Sequence, residues 1–480
     1  MELIQLKKIN ETYNKVICDP GVAYELREHF TFDVPGAKFM PAFRNKMWDG
    51  KIRLFNHMSC QLYGGLNIYL EKFCRDRGYE LEFLDEFAAE NFSLMDAQQE
   101  AGKFSLTMEP REYQLSAFAH AVRNRRTILL SPTGSGKSFI IYLLLRHYNL
   151  KTLIIVPTTS LVSQLATDFK DYGFDAEEDV HKIYAGESKQ TDKWVTISTW
   201  QSIYKLDKNF FGQYDLVIGD EVHLFTAKSL QSIMAKLDHC KYRFGLTGTL
   251  DGTKTHRYVL EGLFGPVKKV TTTTELIENK HLSNFRIKAI LLQYPPTARQ
   301  ILSNADYQTE MDWLVKCEQR NTFIKNLALS LKGNTLLLFQ YVEKHGKILY
   351  DDLAKTGRKV FYVAGSVEGQ DREAIRKLVE SEDNCIIVAS YGTFSTGVNI
   401  KRLHNIIFGS PSKSRVRNLQ SIGRALRTAE DKDMATLYDI ADDLTYKKKQ
   451  NTTLKHFAER IKIYNEEQFK YKTYTVKLEV

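Results

Sequence analysis

The sequence predicts an α/β protein with two tandem doubly wound parallel-sheet domains, preceded by a small N-terminal α+β accessory domain. From about residue 106 onward, strand-length apolar runs alternate with amphipathic segments of helix length. The apolar runs lack the polar alternation of half-exposed strands, so they predict parallel sheets that are covered on both faces. The series is interrupted near residues 271–274, and this break separates the two sheet domains.

The predicted strands define the two sheet domains and the segments around them. We expect an accessory domain at 1–104, sheet domains at 105–274 and 275–445, and a basic tail with one helix at 446–480. The first series of apolar runs lies at residues 127–130, 153–156, 195–199, 216–219 and 244–249. The second series lies at residues 335–339, 360–363, 385–390, 406–409 and 436–440. Ligands of such sheets bind at the carboxyl ends of the strands.

The composition is that of a globular protein with several domains. The chain has 480 residues, of which 43% are hydrophobic and 26% are charged, and a single core does not grow to that length. No apolar run approaches the ~20 residues of a membrane span. The N-terminus has no signal-peptide pattern. The six cysteines show no C-x-x-C spacing, which argues against structural zinc and predicts reduced thiols in the cytoplasm.

The N-terminal domain contains a cationic, aromatic stretch at residues 38–53. Aromatic-rich runs surround the turn signals Pro35-Gly36, Asp49-Gly50 and Gly64-Gly65, which predict hairpins. A basic hairpin with interleaved rings can bind phosphates and stack on bases. We therefore predict that nucleic acid is contacted by Lys46, Trp48 and Lys51. The alternative is that the rings fill a small core and the charges are only solvated. The net charge of +9 suits a polyanion partner but does not by itself indicate one.

A phosphate-binding loop is predicted at residues 131–138, Ser-Pro-Thr-Gly-Ser-Gly-Lys-Ser. It follows an apolar run and opens a strongly apolar helical segment, the context in which this pattern indicates a nucleotide site. Glycines let the backbone N–H groups point inward, and the helix N-terminus adds its dipole. Lys137 is expected at the β- and γ-phosphates, and Ser138 at Mg²⁺. The ATP-binding residues predicted in the loop are Thr133, Gly134, Ser135, Gly136, Lys137 and Ser138.

A pair of carboxylates ends the apolar run at residues 216–219. In a phosphate-loop protein, this is where Mg²⁺ needs an acidic ligand and the attacking water needs a base. We predict that Asp220 holds Mg²⁺ and that Glu221 polarises the water. His223 is expected to sense the γ-phosphate.

The ordered motifs resemble those of the superfamily-two DExH helicases, which are built from RecA-like domains. Two motifs are close matches: the DExH box, Asp220-Glu221-Val222-His223, and motif VI, Gln420-Ser421-Ile422-Gly423-Arg424-Ala425-Leu426-Arg427. The remaining motifs are R-x-Y-Q at residues 111–114, motif Ia at 157–164, motif Ib at 198–201, motif III at 246–249 and motif V at 392–399. The motif order and the N-terminal domain are most similar to the recombination helicases of T4-like phages.

This resemblance implies a role for each motif. Arg111 and Gln114 would bind the adenine end of ATP, and Gly397 would complete its site. Gln420, Arg424 and Arg427 would act in catalysis, the two arginines as fingers on the transferring phosphoryl group. Thr247 and Thr249 would couple nucleotide state to the nucleic-acid groove, together with His223. The expected backbone contacts are Thr158, Ser160, Thr199, Gly365 and Thr393.

The resemblance also implies an activity and partners. We expect an ATP- and Mg²⁺-dependent DNA helicase that moves 3′ to 5′ and unwinds or branch-migrates forked and recombining DNA, including RNA–DNA hybrids. Recombination or replication proteins would be its partners, and the cytoplasm of the host cell its location if a phage encodes it. We expect a monomer without membrane contact. A duplex translocase without strand separation and an RNA helicase stay open as alternatives. An ATP-gated binding switch and a small-molecule kinase are disfavoured, because neither needs both the paired carboxylates and the two arginines.

Overall fold

The computed structural model describes residues 2–85, 89–184, 186–365, 378–395, 400, 402–412, 414–429 and 432–479. The chain divides into two compact units, Met1–Ser131 with Gly136–Val270 and Pro132–Ser135 with Thr271–Val480. Among the described residues, each unit contains one seven-stranded parallel sheet, which confirms the predicted fold class. No helix in the described part of the chain is both long and apolar enough to cross a membrane.

The N-terminal part of the first unit is a mixed α+β domain. Its strands are β1 Leu3–Lys8, β2 Tyr13–Ile17, β3 Thr31–Asp33, β4 Lys51–Arg53, β5 Phe55–Asn56, β6 Gln61–Tyr63 and β7 Glu80–Phe83. Its helices are α1 Pro20–His29, α2 Pro41–Arg44, α3 Asn67–Arg77 and α4 Leu94–Gly102. The main sheet has the order β5-β6-β2-β1-β7, and β3 and β4 form a separate antiparallel pair. The domain packs into the same compact unit as the sheet domain that follows it.

The hairpin predicted at Asp49-Gly50 is wrong in its geometry. β3 and β4 do pair, with Phe32 opposite Ile52, but residues 34–50 form a long connection between them. Gly50 has a φ of 77°, and its carbonyl accepts the Val34 N–H at 2.8 Å. The glycine therefore closes the base of a long loop instead of forming a tight turn. We call residues 34–51 the basic loop. Gly64-Gly65, the other predicted turn, begins a 3₁₀ turn that leads into α3.

The first parallel sheet has the order β10-β11-β9-β12-β13-β8-β14. Its strands are β8 Arg126–Leu130, β9 Thr152–Val156, β10 Val180–Ile183, β11 Val195–Thr199, β12 Leu216–Asp220, β13 Tyr242–Thr247 and β14 Val267–Lys269. Its helices are α5 Glu112–Asn124, α6 Lys137–Tyr148, α7 Thr159–Asp171, α8 Ala176–Asp179, α9 Trp200–Ile203, α10 Lys208–Phe211, α11 Lys228–Lys236 and α12 Lys254–Phe264.

Both faces of this sheet are covered. In β9, Ile154 and Val156 belong to one apolar cluster, and Leu153 and Ile155 belong to another. Consecutive strand residues point to opposite faces, so the two clusters are the cores on either side of the sheet. This is why the strand reads as a continuous apolar run.

The second parallel sheet has the order β17-β18-β16-β19-β20-β15-β21. Its strands are β15 Asn284–Gln293, β16 Thr335–Phe339, β17 Val360–Val363, β18 Ile386–Ser390, β19 Asn405–Phe408, β20 Met434–Asp443 and β21 Tyr471–Lys477. The helices of this unit are α13 Thr273–Glu278, α14 Pro296–Ile301, α15 Tyr307–Lys316, α16 Glu318–Ser330, α17 Lys347–Ala354, α18 Tyr391–Ser395, α19 Arg415–Ala425 and α20 Thr452–Glu466.

The C-terminal segment is part of the second sheet domain. Residues 446–480 were expected to form a separate tail, but β21 runs parallel to β15, with Ile287 opposite Tyr471. The helix expected there is α20, which packs against β20 through the pair of Arg460 and Asp439. Alternating Tyr and Thr residues suit an exposed edge strand, but the lack of an apolar run hid this strand from the sequence analysis.

Candidate nucleotide-binding site and nucleic-acid contacts

The phosphate-loop sequence forms a turn between β8 and α6. Gly134 and Gly136 have φ angles of 86° and 77°, a left-handed conformation that glycine adopts at little cost. Gly136 is the N-cap of α6, which begins at Lys137. The Lys137 Nζ donates to the Ser131 carbonyl at 3.4 Å. The loop therefore has the backbone conformation and the helix start that a phosphate site requires.

The R-x-Y-Q element lies beside this loop. The Gln114 Oε1 accepts the Arg111 N–H at 2.9 Å, and its Nε2 donates to the Gly136 carbonyl at 3.5 Å. A Cβ at position 136 would lie 2.5 Å from the Gln114 Nε2, so a side chain there would displace the Gln114 amide. The Arg111 guanidinium donates to the Tyr113 hydroxyl at 2.8 Å. The structure thus brings Arg111 and Gln114 to the predicted nucleotide loop.

The two carboxylates of the DExH box end β12. The Glu221 N–H donates to the Asp220 Oδ1 at 2.9 Å, and Glu221 has a left-handed φ of 53°. Burial and, to a smaller extent, the negative charge of Glu221 raise the pKa of Asp220 to about 7, and the positive charge of Lys137 opposes this shift. This environment has more negative charge than one lysine balances. A divalent cation would supply the missing charge, so the residues fit Mg²⁺.

His223 and Thr247 surround the second carboxylate. The His223 Nδ1 lies 3.0 Å from the Thr247 Oγ1 and 3.2 Å from the Glu221 Oε2. The Thr247 Oγ1 is 3.3 Å from the same carboxylate oxygen. These contacts form because β12 and β13 are neighbours in the sheet, with Asp220 opposite Leu246. Three predicted residues from two motifs therefore form one hydrogen-bonded group. Thr249 is also close, since its carbonyl lies 3.0 Å from the Thr247 Oγ1.

Tyr172 is a site residue that the sequence analysis missed. It lies directly after α7, and its hydroxyl is 2.7 Å from the Ser138 Oγ. No sequence pattern connects these two residues, because α6 and α7 meet only in the folded sheet domain. Within the described residues, no group of three or more His, Cys, Asp or Glu side chains is arranged to hold a metal ion. Mg²⁺ held by Ser138 and Asp220 would therefore take its other ligands from phosphates and water.

The motif VI residues lie in the second unit. Gln420 and Arg424 are on α19, and Arg427 follows two residues after its end. Gln420 is buried, and the Arg424 guanidinium lies 5.8 Å from the centre of the Phe394 ring. The Arg427 carbonyl accepts from the Lys432 Nζ at 2.8 Å. The predicted ATP-binding residue Gly397 lies outside the described residues.

The predicted backbone contacts differ in exposure. The hydroxyls of Thr158 and Ser160 lie 3.0 Å apart at the exposed start of α7. Gly365, which follows β17, is also exposed. Thr199 and Thr393 are only 4% and 6% exposed, and their hydroxyls bond to Ser202 and Ser390 at 2.9 and 2.7 Å. These two buried hydroxyls stabilise local turns, which leaves Thr158, Ser160 and Gly365 as the accessible members of the set.

The basic loop presents both charges and apolar side chains to solvent. Lys46 and Lys51 are exposed, and the Trp48 Nε1 donates to the Lys51 carbonyl at 2.8 Å. The large apolar side chains of the loop do not fill a core: their exposures are Phe39 65%, Met40 44%, Phe43 38% and Met47 81%. An exposed apolar group of this kind, ringed by cations, marks an interaction surface.

Comparisons with known proteins agree with this arrangement. Three family models match: "DNA helicase UvsW, N-terminal" at residues 4–85, "Type III restriction enzyme, res subunit" at 107–252, and "Helicase conserved C-terminal domain" at 318–429. The ATP-dependent DNA helicase uvsW of Enterobacteria phage T4 is 35% identical over 97% of this chain and 97% of that protein. The chain belongs to the UvsW family of ATP-dependent DNA helicases.

Solved structures support the assignment to this family. The crystal structure of T4 UvsW is 35% identical, covers 99% of this helicase and 100% of that chain, and has a TM-score of 0.53. A Type ISP restriction-modification enzyme bound to DNA is 16% identical and has a TM-score of 0.57 over 77% of this chain and 32% of that chain. At that identity, the second match shows the fold alone. The prediction of an ATP-hydrolysing DNA helicase is thereby confirmed, whereas the roles of individual residues stay predictions.

Proposed function

We propose that this helicase uses ATP hydrolysis to move along DNA and to unwind or branch-migrate forked and recombining DNA, including RNA–DNA hybrids. The observation that carries the proposal is the match of residues 4–85 to the UvsW N-terminal domain. That domain displays the basic loop, which has no part in the nucleotide site.

The same proposal assigns the steps of hydrolysis. Lys137 binds the β- and γ-phosphates, and Gln114 and Arg111 bind the adenine end. Ser138 and Asp220 hold Mg²⁺, which screens the phosphate charge when it is bound. Glu221 orients and deprotonates the attacking water, and the contacts of His223 and Thr247 with its carboxylate hold it in place. Arg424 and Arg427 stabilise the charge on the transferring phosphoryl group.

The basic loop is proposed to bind branched DNA. Lys46 and Lys51 would contact phosphates, an interaction that weakens as salt rises. The exposed rings and methionines offer surfaces for unpaired bases at a branch, and stacking contributes about 1–3 kcal/mol per base. Thr158, Ser160 and Gly365 would contact the tracking strand without reading its bases.

The decisive experiment measures ATPase rate and strand displacement with single-stranded DNA, duplex DNA, a DNA fork, an RNA–DNA fork and a matched RNA. We expect the forks to stimulate turnover and to be unwound, and Glu221→Gln to abolish both activities. Turnover that responds to RNA alone would indicate an RNA helicase. Turnover that no nucleic acid changes would overturn the proposal.

A duplex translocase without strand separation is the second candidate. Two observations favour it: the res-subunit model matches residues 107–252, and the DNA 3′-5′ translocase XPB2 of Sulfurisphaera tokodaii is 30% identical over 38% of this chain and 40% of that protein. Stimulation by plain duplex without displacement of either strand would support this candidate.

A variant of the basic loop tests the DNA contact directly. We expect Lys46→Ala/Trp48→Ala/Lys51→Ala to weaken fork binding and to make the fork affinity less dependent on salt concentration. The basal ATPase rate should be unchanged. The matched control replaces Lys447 and Lys448 by Ala, because it removes the same number of positive charges elsewhere on the chain. Equal loss in both variants would mean that net charge, and not the loop, binds DNA.

The proposal extends to the organisation of the chain. We propose that residues 1–104 act as the DNA-binding accessory domain and 105–274 as the ATP-binding domain. The second sheet domain, which begins at 275 and includes α20 and β21, would supply the arginines. The helicase would act as a monomer in the cytoplasm of the host cell, alongside recombination or replication proteins.

A further inference from the structure

Helix α12 connects the nucleotide site with the N-terminal domain inside the first unit. It begins shortly after motif III, with Thr253 as its N-cap and Lys254 as its first residue. Two neighbouring turns of the helix carry residues that contact different parts of the unit. His256 reaches toward the DExH box, and Thr255 and Tyr258 contact the strand pair at the base of the basic loop.

The contact with the DExH box is made through its backbone. The His256 Nε2 lies 2.7 Å from the His223 carbonyl, so the imidazole N–H donates to it. The other ring nitrogen lies 3.4 Å from the Asp251 Oδ1. That oxygen accepts a hydrogen bond from the Thr253 hydroxyl at 2.9 Å. His223 in turn contacts Glu221 and Thr247. A change in the position of His223 would therefore displace His256 and the start of α12.

The contacts with the N-terminal domain lie on β3 and α3. The Thr255 hydroxyl donates to the Asp33 carbonyl at 3.1 Å. The Tyr258 ring packs between Phe32 and Tyr69, with ring centres 5.0 and 4.3 Å away. Asp33 is paired with Lys51 across β3 and β4, so these contacts hold both ends of the basic loop.

The end of α12 is held rigidly against the same domain. Glu261 is fully buried, and its carboxylate accepts from the Tyr69 hydroxyl, from the Arg257 Nε at 2.9 Å and from the Val267 N–H at 3.0 Å. A Cβ at Gly65 would lie 1.8 Å from the Glu261 carbonyl oxygen. The N-terminal domain is thus closely packed against α12. Close-packed contacts transmit the displacement of one element to its neighbour.

We propose that α12 couples the nucleotide state of the DExH box to the basic loop, with Thr255, His256 and Tyr258 as positioning residues. The inference rests on the proposed function of the loop as a DNA contact. A shift of His223 during the ATP cycle moves the start of α12, and the helix carries β3, β4 and the loop with it. DNA bound at the loop acts on Glu221 by the same route in reverse, because coupling between sites is reciprocal for binding.

The test uses pairs of variants that differ in one contact. Tyr258→Ala removes the ring and Tyr258→Phe keeps it, whereas Thr255→Val removes the donor and Thr255→Ser keeps it. We expect the basal ATPase rate and nucleotide-free fork affinity to be unchanged in all four variants. Fork stimulation of the ATPase rate should fall by about fivefold or more in Tyr258→Ala and Thr255→Val, the usual lower range of coupling between sites. The Phe and Ser variants should restore it.

A double-variant cycle separates coupling from simple damage. Adding Tyr258→Ala to the triple substitution of the basic loop should cause no further loss of stimulation, because both changes interrupt one route. Additive losses would overturn the inference. Full stimulation in both Tyr258→Ala and Thr255→Val, with stimulation lost in the loop variant, would also overturn the inference. The proposed function of the loop would stand in that case. Full stimulation in the loop variant would overturn both. Melting temperatures identify a variant that fails to fold, and Thr255→Val then carries the test.

Discussion

Glu221 adopts a left-handed backbone conformation directly after the buried strand β12. Such a conformation costs a non-glycine residue about 1–3 kcal/mol and is found at functional sites that the surrounding structure holds in place. Here the surroundings include the Asp220 carboxylate, which accepts the Glu221 N–H, and the His223 and Thr247 side chains. The conformation is consistent with a carboxylate that must be aimed at one point.

Glu221→Gln tests this residue alone. We expect ATP binding to be retained and turnover to fall by about 10²-fold or more, because general-base catalysis contributes on that order. ATP affinity measured by a fluorescent analogue, together with phosphate release, checks both parts. Wild-type turnover would contradict the assignment of the base.

The raised pKa of Asp220 predicts a pH-dependent gain in stability for Asp220→Asn. Burial and the charge of Glu221 raise this pKa from 3.8 to about 7. Between those values the folded protein holds a proton that the unfolded chain has released, so wild-type stability falls as the pH rises through this window. Without nucleotide and Mg²⁺, Asp220→Asn should therefore melt higher than the wild type at pH 8, with a smaller difference at pH 5. An equal difference in melting temperature at the two pH values would contradict the raised pKa of Asp220.

At the scale of elements, strand β20 organises the second sheet domain through two buried ion pairs. Arg320 of α16 binds Asp442 at 2.8 Å, and Arg460 of α20 binds Asp439 at 2.8 Å. All four side chains are at most 1% exposed. The Tyr294 hydroxyl also donates to Asp442, at 2.8 Å. Buried charges of this kind are costly unless paired, so the two helices and the strand depend on one another.

Removal of one partner of a buried ion pair should destabilise the fold. We expect Arg320→Met to lower the free energy of unfolding by about 3–5 kcal/mol, because it leaves Asp442 buried and unpaired. Urea denaturation followed by tryptophan fluorescence measures this loss, and Trp313, whose ring lies 5.4 Å from Tyr294, contributes to the signal from this region. Lys355→Met, in an exposed pair with Asp352, is the control and should change the free energy of unfolding by less than about 1 kcal/mol. Similar effects of the two substitutions would contradict the role of burial.

The edge strand β21 gives a second prediction at this scale. A chain that ends at residue 469 lacks β21 and leaves the edge of β15 unpaired. Unpaired edges promote association between chains, so we expect a lower melting temperature and aggregation on heating. Circular dichroism during a thermal ramp measures the melting temperature, and light scattering during the same ramp measures aggregation. An unchanged ramp would show that β21 is dispensable.

At the scale of the whole molecule, the two parallel sheets have the same layout of neighbours. In each, the first strand lies between the sixth and the seventh, and the second lies between the fourth and the fifth. This placement follows from the doubly wound connections of parallel strands. ATPase motors with arginines from the second domain link hydrolysis to domain movement, and that link is proposed here for Arg424 and Arg427.

Arg427→Ala tests the link. We expect turnover with fork DNA to fall by about 10³-fold, the usual contribution of an arginine finger, while ATP affinity changes less. Arg415→Ala is the control, because Arg415 starts α19, the helix that Arg427 follows, and its side chain pairs with Glu466 and Glu467. Equal losses in the two variants would contradict a specific role for Arg427.

Much of the fold follows from local pattern. The strands that read as unbroken apolar runs were predicted almost to the residue, for example β16 and β17. In the two parallel sheets, the strands missed were β10, β14, β15 and β21, which lie at or beside sheet edges. Each of these strands includes partly or fully exposed residues, so no unbroken apolar run marks it in the sequence. The phosphate loop and the DExH box were predictable because their chemistry lies in consecutive residues.

The sequence by itself determined the fold class, the phosphate-loop turn, the carboxylate pair at the end of β12 and membership of a helicase superfamily, because each depends on residues that are near one another in the chain. Only the tertiary structure decided which distant residues meet. It placed Tyr172 against Ser138 and paired Arg320 with Asp442. It also showed that β3 and β4 are joined by the long basic loop, where the sequence had predicted a tight hairpin. It also brought α12 between His223 and Phe32. Such contacts depend on how helices and strands pack, and no short stretch of sequence encodes that packing.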